Sequence, residues 1–332
     1  MIIATVTAVH RERYELCFED EIFYGRLKAA VFYHSKELAV FPTVGDRVEV
    51  ARSEAGDSAI VKVEERKSVF MRMNATQGMP DQAVAANFDY VFITMSLNGD
   101  FHPSKLERYL AAARRSGGIP VILLTKADLM EEWQREEILA QIALLEPEAE
   151  THCISVYTGE GVSRLEKYVS EGNTIVLLGS SGVGKSSFVN VMLGEEQMRT
   201  GGIREADAQG RHTTTFKQMF TIPKHITLPD GSVIKGGGKI IDTPGMRKVL
   251  MGEGTDGIEL AFEDIGRLAM QCRFSDCRHQ TEPGCAIRKA LEDGSLEERH
   301  WKNYLSLQRE EAYSRERKKL LLKKMEKSKK RR

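Results

Sequence analysis

The stretch Gly179-Ser180-Ser181-Gly182-Val183-Gly184-Lys185-Ser186 fits the pattern GxxxxGK[ST] at every fixed position. Chemistry asks for these residue types at this spacing because a phosphate group must be wrapped by backbone N–H groups. Glycine lets the chain come that close and adopt the turns required. Lys185 then reaches the β- and γ-phosphates of a nucleotide, Ser186 offers its hydroxyl to Mg²⁺, and a helix from Ser187 to Leu193 points its positive end at the anion. An apolar run, Thr174 to Leu178, leads into the loop. A strand before and a helix after set it apart from a glycine-rich turn that binds nothing.

Three other stretches could complete such a site. In Thr125-Lys126-Ala127-Asp128, the Asp128 carboxylate can accept two hydrogen bonds from the N1–H and 2-amino group of guanine, which adenine does not offer, while the Lys126 stem packs over the ring. Taken alone, the tetrapeptide serves equally as a helix start capped by Asp128; beside a phosphate loop it reads as a base-recognition motif. The polar stretch ending in Gly210-Arg211-His212-Thr213-Thr214-Thr215 suits a segment that folds over the γ-phosphate and gives one threonine to Mg²⁺. Its alternative is a plain surface loop entering a strand. Lys239-Ile240-Ile241-Asp242-Thr243-Pro244-Gly245 reads as a strand ending in DxxG, where Asp242 can hold Mg²⁺ through water and the Gly245 N–H can sense the γ-phosphate.

A separate constellation is Cys272-x4-Cys277-x-His279-x5-Cys285. Zinc takes such a set as a closed tetrahedral Cys₃His site without an open position for water, so its role is structural. Trp301, Tyr304, Leu305 and Ala312 then fall on one helical face that can pack on this knuckle.

These residues need elements to hold them. Up to Arg72 the chain has about five short alternating runs, Ile2–Val6, Tyr14–Phe18, Ile22–Tyr24, Asp46–Val50 and Ala59–Val63, separated by turn signals. They predict a small β-barrel of the oligonucleotide-binding (OB) type. Beyond it, Tyr90–Thr94 and Pro120–Leu124 are continuous apolar runs typical of buried parallel strands. Helices are expected over Leu106–Ala113, over Ile138–Leu145 and around Leu165 and Val169, with a strand near Cys153–Val156. The result is a doubly wound α/β domain inside a multidomain chain.

The motif order is unusual: the guanine motif at Thr125 precedes the phosphate loop by about fifty residues. Circular permutation reorders the chain without changing the site. With its barrel and cysteine cluster the chain resembles the circularly permuted P-loop GTPases of the RsgA (YjeQ) family over nearly its whole length. The resemblance implies an OB-like barrel over 1–72, a permuted GTPase domain over 73–250, and a zinc-binding helical domain with a basic tail over 251–332. It implies a cytoplasmic monomer that binds GTP and GDP, uses Mg²⁺ and one zinc, and acts on the 30S subunit and its 16S rRNA late in maturation, hydrolysing GTP faster when bound. The site residues carried over are Thr125 to Asp128, Gly179 to Ser187, Thr213, Thr214, Thr215, Asp242 and Gly245 for the nucleotide, and the Cys₃His set for zinc. Two departures stand out: Thr125 replaces the usual Asn, and Met246 stands where Ras-like enzymes keep a catalytic glutamine. The family has an apolar residue there too, and the histidine matching His212 is its proposed catalytic substitute.

Composition fits this picture. The 332 residues allow two or three domains. Net charge is zero, yet Arg315 to Arg332 holds eleven Lys/Arg against two Glu, leaving +9 there and −9 elsewhere. Such a tail suits nucleic acid or an acidic surface, or is a solvated helix end. Neither a signal peptide nor an apolar run of membrane-spanning length is found, which predicts a cytosolic protein without a membrane partner. Cys17 and Cys153, each alone in an apolar stretch, read as core residues. The rival function is an RNA-binding adaptor that holds nucleotide without stimulated turnover. An ATPase or kinase is disfavoured by Asp128.

Overall fold

The structure is a computed structural model that describes residues 1–10, 13–28, 41–72, 82–194, 217–242, 258 and 261–329. The five amino-terminal runs are strands β1 (Ile2–Val9), β2 (Tyr14–Phe18), β3 (Glu21–Leu27), β4 (Arg47–Ala51) and β5 (Ser58–Val63). They lie in the order β1-β2-β3-β5-β4, and β4 returns to β1 with Ile2 opposite Val50, which closes an OB-like barrel. Alternation puts Ala4, Val6, Leu16, Val48, Val50 and Ile60 inside it. A hairpin follows, β6 (Val69–Arg72) with β7 (Gln82–Ala86), and Phe70 stacks on Phe88 at 5.0 Å.

The central sheet uses β8 (Tyr90–Ser96), β9 (Ile119–Thr125), β10 (Thr151–Cys153), β11 (Thr174–Gly179), β12 (Gln218–Thr221) and, after the hairpin β13 (His225–Thr227) and β14 (Val233–Lys235), β15 (Lys239–Asp242). Its order is β10-β9-β8-β11-β15-β12, parallel except for β12. Helices α1 (Pro103–Arg115) and α2 (Glu132–Leu145), the short α3 (Glu166–Val169) and α4 (Lys185–Leu193) cover it. The strands are apolar throughout because both faces are buried: Ile93, Ile122 and Val176 face one core with Leu106 and Leu110 of α1, while Phe92, Val121 and Ile175 face the other with Phe188 of α4. The strand expected at Cys153–Val156 begins two residues earlier, at Thr151, and Ile154 onward forms a loop.

The carboxyl-terminal part contains α5 (Glu263–Ala269), α6 (Ala286–Glu292) and α7 (Glu298–Lys329). Its core of Phe262, Ile265, Ile287, Ala290, Leu296 and Leu307 also takes in Ala111 from α1. Trp301 and Tyr304 pack against this core as expected, but Ala312 is exposed, and among the described side chains of that helix Leu307 and Glu311 are buried. The inner face of α7 meets α1 rather than the knuckle alone, so it mixes polar and apolar residues. Among the described residues no helix is long and apolar enough to cross a membrane.

Candidate nucleotide site and metal centre

The phosphate loop leaves the carboxyl end of the central strand β11, where open α/β sheets place ligands. Gly179 packs so closely on β8 that a Cβ would strike the Thr94 carbonyl oxygen. Gly182 and Gly184 take left-handed φ values of +80° and +97°, which favour glycine, and Gly184 caps α4, which begins at Lys185, two residues before the expected start. The Lys185 ammonium donates to the carbonyls of Gly179, at 2.9 Å, and Ser180. Neutral carbonyls hold it across the loop, where phosphate oxygens of full negative charge compete better.

The base-recognition motif is tied directly to this loop. Thr125 is buried at the end of β9, and its Oγ1 donates to the Val183 carbonyl at 2.5 Å. Thr125 thus joins two motifs 58 residues apart in the chain. The next residue, Lys126, has φ +61°, a conformation that costs a lysine of order 1 kcal/mol and clusters at functional sites. This turn buries Ala127, whose N–H donates to the Ile154 carbonyl at 3.0 Å, and leaves Asp128 exposed. Asp128 does not cap α2: Glu131 does, in a reciprocal capping box with Gln134.

Sequence reasoning missed the loop after β10. Ser155 is fully buried, and its Oγ accepts from the N–H groups of Tyr157 and Thr158, each at 3.2 Å, so the loop lies against Ala127. The signal was available: a serine turn followed by Gly159 directly after a strand. On the other side, Tyr109 of α1 and Ser180 approach at 3.4 Å between hydroxyl oxygens. Asp242 ends β15, whose Ile241 pairs with Val176 of β11. His212, Thr213, Thr214, Thr215, Gly245 and Met246 lie outside the described residues.

The four expected zinc ligands do come together: one ligand atom from each of Cys272, Cys277, His279 and Cys285 lies within 4.8 Å of the others. His279 turns Nδ1 inward, 3.4 Å from the Cys285 sulfur and 3.5 Å from that of Cys272, and its φ of +59° makes the turn. Burial lowers the His279 pKa, favouring the neutral ring that can bind a metal. Burial alone would raise the Cys272 thiol, yet the N–H groups of Ala286 and Ile287 together with hydrogen bonds from Cys277 and Cys285 hold the pKa below its usual value. Glu282 fastens the knuckle by accepting from the N–H groups of Arg278 and Gln280 at 3.0 and 2.8 Å, and its own N–H followed by these donors brings its pKa down to about 2. Trp301 closes the site edge-on to His279 at 5.8 Å. The donor set and its compactness fit a structural zinc ion.

A polar joint fixes this part to α1. Glu107 is buried on α1 and accepts from His300 at 2.7 Å, Arg299 at 3.2 Å and Asn303 at 2.6 Å, all on α7. His300 also meets Asp264 of α5, at 3.1 Å, and stacks on Phe262 at 4.8 Å. Burial would depress the imidazole, but hydrogen bonds and charge from Asp264 and Glu107 raise its pKa to about 9. α1 therefore touches the phosphate loop through Tyr109 and the part with the Cys₃His cluster through Glu107, two residues apart.

Known proteins match this arrangement. The model of the RsgA GTPase family matches residues 63–251. A Listeria monocytogenes protein named Small ribosomal subunit biogenesis GTPase RsgA 2 is 44% identical over 308 residues, 93% of this chain and 83% of that one. Its Vibrio parahaemolyticus namesake is 40% identical, covering 94% and 80%. Among solved structures, YjeQ from Thermotoga maritima superposes with a TM-score of 0.66 at 24% identity over 93% of this chain and 98% of that one. YloQ, described as a circularly permuted GTPase, gives 0.60 at 21% identity, with 94% and 95% covered.

Proposed function

The chain belongs to the RsgA GTPase family, and from this premise we propose that it hydrolyses GTP on the small ribosomal subunit during the subunit's biogenesis, with turnover stimulated by that subunit. The observation that carries the reading is the Thr125–Val183 bond, which joins a guanine-type motif to a phosphate loop in one permuted site. In this reading Asp128 selects guanine, with Lys126 and Ala127 shaping the turn, and Gly179 to Ser187 hold the phosphates. Lys185 neutralises charge on the transferred phosphoryl group as water attacks in line. Mg²⁺ bound with GTP adds positive charge at the same oxygens, with Ser186, a threonine among Thr213 to Thr215, and Asp242 as its protein partners. Gly245 senses the γ-phosphate, and His212 orients the water, a task for which the Met246 thioether has no hydrogen to give.

The reading assigns 1–72, 73–250 and 251–332 to barrel, GTPase and zinc-bearing domains, with one zinc at the Cys₃His set, 16S rRNA as the bound nucleic acid, and a cytoplasmic monomer as the working form. Hydrolysis of GTP and ATP, measured with and without purified small subunits, tests it. GTP turnover that rises several-fold with subunits and leaves ATP untouched is expected. GTP binding without stimulated turnover would reduce the protein to an RNA-binding adaptor.

A further inference from the structure

One surface has no place in the nucleotide site or the metal centre. Helix α2 packs on the sheet through Ile138, Leu139, Ile142 and Leu145. Its opposite face carries Trp133, 64% exposed, and Leu144, 87% exposed, with Ala140 exposed between them. Positions 133, 140 and 144 fall on one stripe about 16 Å long. A single exposed leucine is ordinary, but a tryptophan and a leucine aligned on a helix that already has its buried face are not. Tryptophan is the side chain most enriched among interface anchors.

The surroundings of the stripe restrict what can cover it. Residues 131–150 contain seven glutamates and one basic residue, Arg135. Arg135 is held by Glu160 at 2.6 Å, Glu146 by Arg114 and Glu150 by Lys167. Glu132, Glu136, Glu137 and Glu148 form no ion pair with any described residue. A phosphate backbone would meet these carboxylates as like charge, so this side is closed to RNA.

We infer that the outer face of α2 docks a basic amphipathic protein segment, whose apolar side chains cover Trp133 and Leu144 while its lysines and arginines meet Glu132, Glu136 and Glu137. Helix-in-groove and helix-on-helix recognition use this division of labour, with apolar anchors at helical spacing inside a charged rim. The inference rests on the proposed action on the small subunit, a particle whose proteins could present such a segment, and it separates a protein-facing side of the chain from RNA-facing ones. The stripe begins four residues beyond Leu129, itself 58% exposed next to Asp128, so the occupant would sit beside the base-recognition loop.

Cosedimentation with intact small subunits, paired with hydroxyl-radical footprinting, tests this. Trp133 and Leu144 should become protected in the complex, and the pair Trp133→Glu with Leu144→Glu should weaken subunit binding at least 10-fold while leaving subunit-free GTP turnover unchanged. The milder pair Trp133→Gln with Leu144→Gln serves if the first does not fold. Continued oxidation of Trp133 in the complex, or unchanged affinity of a folded variant, overturns the inference. So does an equal loss of affinity for protein-free 16S RNA, which would make the partner RNA, or a dimer of the free chain abolished by the variant. Failure of the unmutated chain to bind subunits would instead remove the proposed function on which the inference stands.

Discussion

Raising the pH should loosen the joint between α1 and α7, and His300 sets the window. Its folded pKa of about 9 lies above the ordinary 6.5, so the protonated ring adds stability that is fully present below pH 6.5 and is lost as pH rises through 9. With these two values the contribution is about 2.5 kcal/mol at pH 7 and about 0.2 kcal/mol at pH 9.5. The ring is only 12% exposed, but Asp264, its partner on α5, is 59% exposed, so solvent screening makes this figure an upper bound. Zinc ligation responds in the opposite sense, since thiolates form more readily as pH rises. The chain has two tryptophans, so Trp133→Phe leaves Trp301 as a reporter inside the carboxyl-terminal core. Urea unfolding followed by its fluorescence, from pH 6.5 to 9.5, should show a falling midpoint, and His300→Gln should flatten the slope. A midpoint that does not move, or an alkaline loss that persists in His300→Gln, refutes the reasoning.

Other substitutions test the site itself. Asp128→Asn should shift preference from guanine toward xanthine nucleotides, with about 1.5–3 kcal/mol lost for GTP, as nucleotide competition would reveal. Thr125→Val keeps the volume but orphans the buried Val183 carbonyl, so GTP affinity should drop by about 5- to 100-fold, equivalent to roughly 1–3 kcal/mol, in a titration with labelled nucleotide. Cys277→Ser should release the zinc in elemental analysis and loosen residues beyond Gly254, while nucleotide binding stays largely intact. For His212→Ala, subunit-stimulated kcat should fall by about 10²-fold with GTP affinity kept within a few-fold; unchanged kcat would remove His212 from the reaction.

What could be read from the sequence was what is local in the chain. The phosphate loop, the turn at Thr125 to Asp128 and the Cys₃His cluster each declare themselves within fourteen residues, because their geometry is made by neighbours. The barrel strands could be placed because alternation exposes the inner face of each. Contacts between distant segments were hidden. Thr125 stands out in the sequence only as a replacement for the usual Asn, and its hydroxyl holds a loop 58 residues away. Nothing in a single sequence marks a carboxylate as buried, so Glu107 with its partners His300 and Asn303 gave no signal, and the face read as Trp301, Tyr304, Leu305 and Ala312 holds Leu307 in its core while Ala312 is exposed.

The two ends of the chain are attached to the nucleotide-binding sheet by different kinds of joint. The barrel is fused through the main chain: Ala8 of β1 pairs with Gln218 of β12, the Ala86 N–H donates to the Val44 carbonyl at 2.9 Å, and Gly45 is pressed against Ala86 with no room for a Cβ. The end with the Cys₃His cluster is held by side chains, Glu107 against Arg299, His300 and Asn303. Backbone bonds have no titratable group and no rotamer to change, so the first joint behaves as a mount. The second depends on charge and on side-chain torsions, with Ala111 of α1 adding an apolar contact to the same joint. Of the two, the joint at Glu107 is therefore the one that a change of pH or of side-chain rotamer can loosen.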